Sequence, residues 1–231
     1  MKHLSDSDVL GEFLVSARSL AEYRAIFALS DADLRGRILD CPGGAASFTA
    51  EASALGAQVT AADPVYAREP DQLRSLALTE TDRGSLWATA HSAMYRWDWY
   101  GSPDQHREMR HAAAQRFGAD LIAHPERYVA TELPSLPFAE NSFDLALSSH
   151  LLFTYADRLT ADFHLAALLE LARVCAGETR VYPLVDHLGN QLDELVAHLR
   201  KELEDKGIRT SLRETSYEFH HGAHTILVLH P

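Results

Sequence analysis

Short β-rich runs alternate with helical patterns along most of this chain, the signature of a parallel sheet covered by helices. Residues 10–29 carry apolar side chains at helical spacing (Leu10, Phe13, Leu14, Ala17, Leu20, Tyr23, Phe27), which predicts one or two amphipathic helices. Residues 37–41 read as a first strand ending at Pro42-Gly43-Gly44. Residues 45–55 then form an alanine-rich helix stopped by Gly56, and residues 58–62 a second strand closing on Asp63-Pro64.

The rhythm breaks between Pro64 and Arg127, a stretch several times longer than a strand-helix-strand step needs. It reads as mostly helical, for example over 71–78 and 105–117. Its middle holds a dense aromatic cluster, with Trp87 close to His91, Tyr95, Trp97, Trp99 and Tyr100 before a Gly101-Ser102-Pro103 turn. We read residues 67–126 as a helical insertion or lid on the substrate side, not as a separate domain.

Alternation resumes with strands over 128–132, 143–149 and 178–183, and with helices over 160–175 and 188–206. The end differs in kind. Residues 215–219 and 225–229 are β-like runs joined by His220-His221-Gly222-Ala223-His224, which predicts a hairpin. The expected fold class is therefore α/β: a Rossmann-like, seven-stranded, mostly parallel sheet with an antiparallel C-terminal hairpin and helices on both faces. Residues 1–231 form one domain, and residues 1–34 supply N-terminal helices.

Composition narrows the partners. Acids outnumber bases by 33 to 21, a formal charge of -12, so neither nucleic acid nor an anionic membrane is the expected partner. A small molecule is expected instead, with the chain monomeric or homodimeric. The two cysteines, Cys41 and Cys175, lie far apart without metal-ligand spacing and suit a reducing compartment. The first residues place acids where a signal peptide has its apolar run, and no stretch reaches the roughly 18 apolar residues that span a bilayer. A cytoplasmic location is the expectation.

The strongest local feature is a strand, then Asp40-Cys41-Pro42-Gly43-Gly44, then a helix. A glycine turn there lets backbone approach a ligand and leaves N–H groups free at the helix start. Asp63, closing the next strand, stands where a ribose needs a hydroxyl acceptor. Together they point to a nucleotide-like ligand at the carboxyl ends of the strands.

Later segments carry a family likeness. Leu136-Pro137-Phe138, followed by Ser142-Phe143-Asp144 and a strand ending in Ser149-His150, resembles the fourth-strand region of class I S-adenosylmethionine-dependent methyltransferases. Residues 170–174 with Gly177 resemble that family's helix into strand five, and the closing hairpin resembles its antiparallel last strand. The resemblance runs from about residue 37 to 229 and implies S-adenosyl-L-methionine as cofactor. It implies that Asp40, Cys41, Pro42, Gly43 and Gly44 form the methionine-side turn, with Gly43 supplying conformational freedom beside Pro42. Asp63 and Pro64 would then hold the ribose end, Glu132 and Leu133 the adenine, and Ser149 would face cofactor and substrate. The family's acid-x-Gly-x-Gly-x-Gly turn is altered here, with Pro42 and Ala46 at the first and third glycine positions.

Methyl transfer from a sulfonium disperses charge, so holding the nucleophile in line provides much of the acceleration. A base is needed only where the acceptor must lose a proton. The candidate catalytic residues are His150, His91 and Tyr155, with His106 and His111 as further titratable groups. His150 ranks first because a strand-four terminus points into the crevice. His91 with Tyr95, Trp97 and Trp99 either walls a planar or cationic substrate or forms the insertion's own core. His220, His221 and His224 do not face one ion in a hairpin and are expected on a solvent-facing turn, with no metal.

The leading reading is transfer of a methyl group from S-adenosylmethionine to a small-molecule acceptor by in-line displacement. The alternative is a catalytically weak or inactive protein of the same fold acting as a binding or regulatory subunit, motivated by Pro42 and Ala46. A nicotinamide-dependent oxidoreductase is a third class, opposed by the closing hairpin and the Leu136-Pro137-Phe138 segment.

Overall fold

The computed structural model describes residues 13–231. A seven-stranded sheet runs through it in the order β3-β2-β1-β4-β5-β7-β6. The strands are β1 (Arg37–Asp40), β2 (Gln58–Ala62), β3 (Tyr128–Val129), β4 (Phe143–Ser149), β5 (Cys175–Tyr182), β6 (Arg209–Glu214) and β7 (Thr225–His230). β1 to β5 pair in parallel; β7 runs antiparallel to both β5 and β6. This is the expected Rossmann-like arrangement with one reversed strand near its edge.

Period-two alternation sends β1 side chains to both faces. Ile38 packs with helix α1 (Leu20–Phe27), helix α2 (Phe48–Ala54), Leu145 and Val228. Leu39 packs opposite, with helices α5 (Ala161–Val174) and α6 (Asp193–Asp205), Ala146 and Leu227. Helices α3 (Pro70–Ala90) and α4 (Pro103–Ala123) lie between β2 and β3, where the long helical stretch was expected. They bury Leu73, Ala77, Ala113 and Phe117 together with Ala61 and Tyr128.

Two expectations fail. Residues 13–18 are not helical: helix α1 starts only after Ser19, whose hydroxyl accepts from the Glu22 N–H while Glu22 accepts from the Ser19 N–H. That capping box fixes the boundary; residues 10–12 of the predicted helix lie outside the described residues. The closing hairpin is also displaced. Its first strand is Arg209–Glu214, half-exposed and charged as an edge strand can be, whereas residues 215–224 form the connection. Tyr217 and Phe219 leave the ladder because they are buried among Trp99, Tyr100 and Tyr95.

Candidate functional site

A cavity of about 630 Å³ opens at the carboxyl ends of β1, β2 and β4. The turn after β1 contributes Cys41, Pro42, Gly43 and Gly44, and the end of β2 contributes Asp63 and Pro64. Glu132 and Leu133 reach it from the segment after β3, and Ser149 and His150 from the end of β4. The chain thus brings together every residue expected at a cofactor site except Asp40.

Asp40 is fully buried and outside the lining. Its carboxylate accepts the Tyr23 hydroxyl at 3.0 and 3.1 Å, and Tyr23 is the group that lines the cavity. Burial raises the Asp40 carboxyl well above its ordinary value. Asp40 therefore positions Tyr23 at the cavity wall.

The turn also divides its labour differently from expectation. Gly44, not Gly43, takes the left-handed conformation, with φ of 51°. Gly43 is small for packing reasons, since a Cβ there would lie 2.5 Å from the Tyr66 hydroxyl oxygen and 2.9 Å from the Ala61 Cβ. The Tyr66 hydroxyl donates to the Gly44 carbonyl at 2.9 Å and ties the turn to the segment after β2. Asp63 ties it a second time, accepting the Gly44 N–H at 2.9 Å and the Val65 N–H at 3.0 Å. Burial raises the Asp63 carboxyl, and those two N–H groups pull it back down.

His150 sits at a left-handed φ of 53°, with its Nδ1 2.7 Å from the Ser149 hydroxyl and its ring edge-on to Tyr182. Burial, with Arg18 and Arg110 nearby, pushes its pKa well below the ordinary value, so the ring is neutral at pH 7. Tyr155 also lines the cavity, its hydroxyl accepting the Leu14 N–H at 2.8 Å.

His91 is a correction. It stacks on Trp87 with ring centroids 3.8 Å apart, its Nδ1 lies 3.0 Å from the Trp87 carbonyl, and it lines neither this cavity nor its smaller neighbour. Stacking on the end of its own helix keeps it from the crevice. His106 and His111 differ from each other: His106 is buried against the Arg110 guanidinium, and His111 pairs with Asp82 at 2.9 Å. Burial and Arg110 push His106 down to about 2.

The aromatic cluster turns out to be both wall and core. Trp87, Tyr95 and Phe219 line the smaller neighbouring cavity, while Trp97, Trp99 and Tyr100 pack behind with Tyr217. His220 also breaks expectation by lining that cavity; His221 and His224 are exposed. Among the described residues no cluster of His, Cys, Asp or Glu could hold a metal ion. No helix among them is long and apolar enough to cross a membrane.

Sequence reading missed Ser16, Arg18 and Glu80 at the site. Ser19 followed by Glu22 was the available signal: a capping box there leaves residues 13–18 outside the helix and free to line a crevice. For Glu80, inside a long helix, no local signal exists.

Residues 89–182 match the family model of the methyltransferase domain. The matched stretch includes Glu132, Leu133, Ser149, His150 and Tyr155, and leaves the Pro42-Gly43-Gly44 turn and Asp63 on its N-terminal side. Over 236 residues the chain is 25% identical to an uncharacterized protein of Methanocaldococcus jannaschii, covering 98% of this chain and 97% of that one. It is similar also to a SAM dependent methyltransferase from Aquifex aeolicus in a crystal structure. There the identity is 16% and the TM-score 0.32, over 51% of this chain and 62% of that one.

Proposed function

We propose that this protein transfers a methyl group from S-adenosylmethionine to a small-molecule acceptor by in-line displacement. The observation that carries the reading is one cavity at the strand ends in which Gly44, Asp63, Glu132 and Ser149 converge, in a chain whose residues 89–182 match the methyltransferase-domain model. The donor set fits a nucleoside ligand. Each Asp63 oxygen keeps a lone pair beyond its backbone bond, open to a ribose hydroxyl, and Glu132 can accept from an amino group.

When bound, S-adenosylmethionine would supply a sulfonium methyl for an acceptor lone pair, the C–S electron pair returning to sulfur to give S-adenosylhomocysteine. The chain's own contribution is placement and exclusion of water. Leu14, Tyr155 and His150 line both this cavity and its smaller neighbour, so they stand where acceptor and methyl donor meet. The neutral His150 ring, oriented by Ser149, can take a proton from an acceptor hydroxyl, though its lowered pKa makes it a weak base. An acceptor that loses no proton before transfer suits this site better.

Calorimetric titration with S-adenosylmethionine and S-adenosylhomocysteine tests the reading. Dissociation constants of about micromolar are expected. No heat at millimolar ligand from a folded protein would favour a non-catalytic subunit of the same fold, the reading that Pro42 and Ala46 motivate.

A further inference from the structure

The smaller cavity, about 110 Å³, shares Leu14, Ser16, Arg18, Glu80, His150 and Tyr155 with the larger one. The rest of its lining is of two kinds. Trp87, Tyr95 and Phe219 give flat apolar walls, Tyr95 and Phe219 being stacked on one another with centroids 4.4 Å apart. Ser85, Thr154, His187 and His220 bring polar groups from four separate parts of the chain.

Those polar groups lack partners among the described residues. Arg18 Nε, Ser85 Oγ, Thr154 Oγ1, His187 Nδ1 and His220 Nδ1 are buried and make no hydrogen bond to any of them, and all five belong to residues lining this one cavity. His187 Nδ1 stands 3.8 Å from the Asp157 carboxylate, beyond hydrogen-bond reach. Buried polar atoms are nearly always satisfied, so five around one small space mark a ligand's place.

Charge identifies the kind of ligand. Arg110 is neutralised by Glu22 at 3.1 Å, and Glu80 by Arg83. Arg18, only 8% exposed, has no ion pair among the described residues; its one side-chain hydrogen bond among them goes to the Ser16 hydroxyl. A buried guanidinium without a carboxylate is costly, and its planar fork fits a carboxylate of a ligand.

We propose that the smaller cavity is the acceptor site and selects a small planar molecule bearing a carboxylate, with the carboxylate on Arg18 and the ring against Trp87 and Tyr95. Only the word acceptor rests on the methyl-transfer reading; the selectivity stands on the cavity alone.

Benzoate and benzamide share a shape and differ in charge, so they are the probes. Each is titrated into the full chain, with and without saturating S-adenosylhomocysteine, following heat and tryptophan fluorescence. Benzoate is expected to bind saturably and quench, and benzamide to bind about tenfold or more weakly. Arg18→Gln should erase that preference and Arg18→Lys retain part of it.

Equal binding of the two probes, or binding of neither, overturns the proposal. So does an Arg18→Gln protein that loses S-adenosylhomocysteine yet still prefers benzoate, because Arg18 would then serve the cofactor. If that variant does not fold, the comparison on the unaltered protein decides by itself. Benzoate preference without any S-adenosylhomocysteine binding would sink the methyl-transfer reading and leave the carboxylate site standing.

Discussion

Asp63 accepts the Gly44 backbone N–H at 2.9 Å, so the end of β2 holds the turn that follows β1. The acid expected to meet a ligand is thus also a strut of the ligand's cradle. Asp63→Ala removes the acceptor of two part-buried N–H groups, which costs about 1–3 kcal/mol of stability. It should also weaken S-adenosylhomocysteine binding about tenfold or more, since hydrogen bonds to a charged group contribute on that scale. Asp63→Asn keeps one carbonyl acceptor and should fall between. Urea unfolding and calorimetry on the two variants separate the roles; a stable Asp63→Ala protein that binds normally would remove Asp63 from the site.

The two turn glycines should respond in opposite ways to compensation. Gly44→Ala places a side chain at a φ of 51° and costs about 1–2 kcal/mol whatever its neighbours do. Gly43→Ala instead meets the Tyr66 hydroxyl, so Tyr66→Phe should recover part of its loss and none of the Gly44→Ala loss. A double-mutant cycle read by urea midpoints checks this. Equal rescue at both positions would contradict the assignment.

Strand placement was legible because β1 to β5 are flanked by sharp turn chemistry and carry apolar runs for two faces. The grouping of the glycine turn with the strand ends followed, since a turn and two strand ends adjoin in such a sheet whatever the helices do. Chain segments that ignore periodicity were not legible. Phe13 to Arg18 has helical spacing but lines cavities outside any helix. Tyr217 and Phe219 alternate like strand residues yet are claimed by Trp99 and Tyr100 of a distant insertion. His91 was misplaced for a related reason: its position near the aromatic cluster said nothing about its stacking on Trp87. Arg18 could be found only in three dimensions, because its isolation is defined by Glu22 being committed to Arg110.

Buried neutral histidines make the fold sensitive to acid. Burial holds His220 down to about 4, against an ordinary value of 6.5. Below pH 6.5 the unfolded chain binds a proton there that the folded chain does not, so stability falls as pH drops from 6.5 towards 4. At pH 5 the loss from this one group is about 2 kcal/mol. Asp40, whose carboxyl is raised, acts in the opposite direction, so the test is a difference between proteins and not one curve. Unfolding free energies at pH 7 and pH 5 should differ less in His220→Asn than in the unaltered protein. Identical pH slopes would show that His220 titrates freely.

Glu22 is the residue whose loss should cost most. It is fully buried, accepts the Tyr100 hydroxyl at 2.7 Å and the Ser19 N–H at 2.8 Å, and neutralises Arg110. Helix α1, the turn before α4 and α4 itself are joined through that carboxylate. Glu22→Gln leaves Arg110 without its counter-charge in a buried setting that already holds Arg18, and removing one partner of such a pair costs about 3–5 kcal/mol. Adding Arg110→Met should restore about 2 kcal/mol or more, because the buried charge goes with its partner. Urea unfolding of the two single variants and the double variant measures that coupling. Strictly additive losses would mean that Glu22 and Arg110 do not depend on each other, and Arg18 would no longer stand out among the described residues as the buried guanidinium left for a ligand.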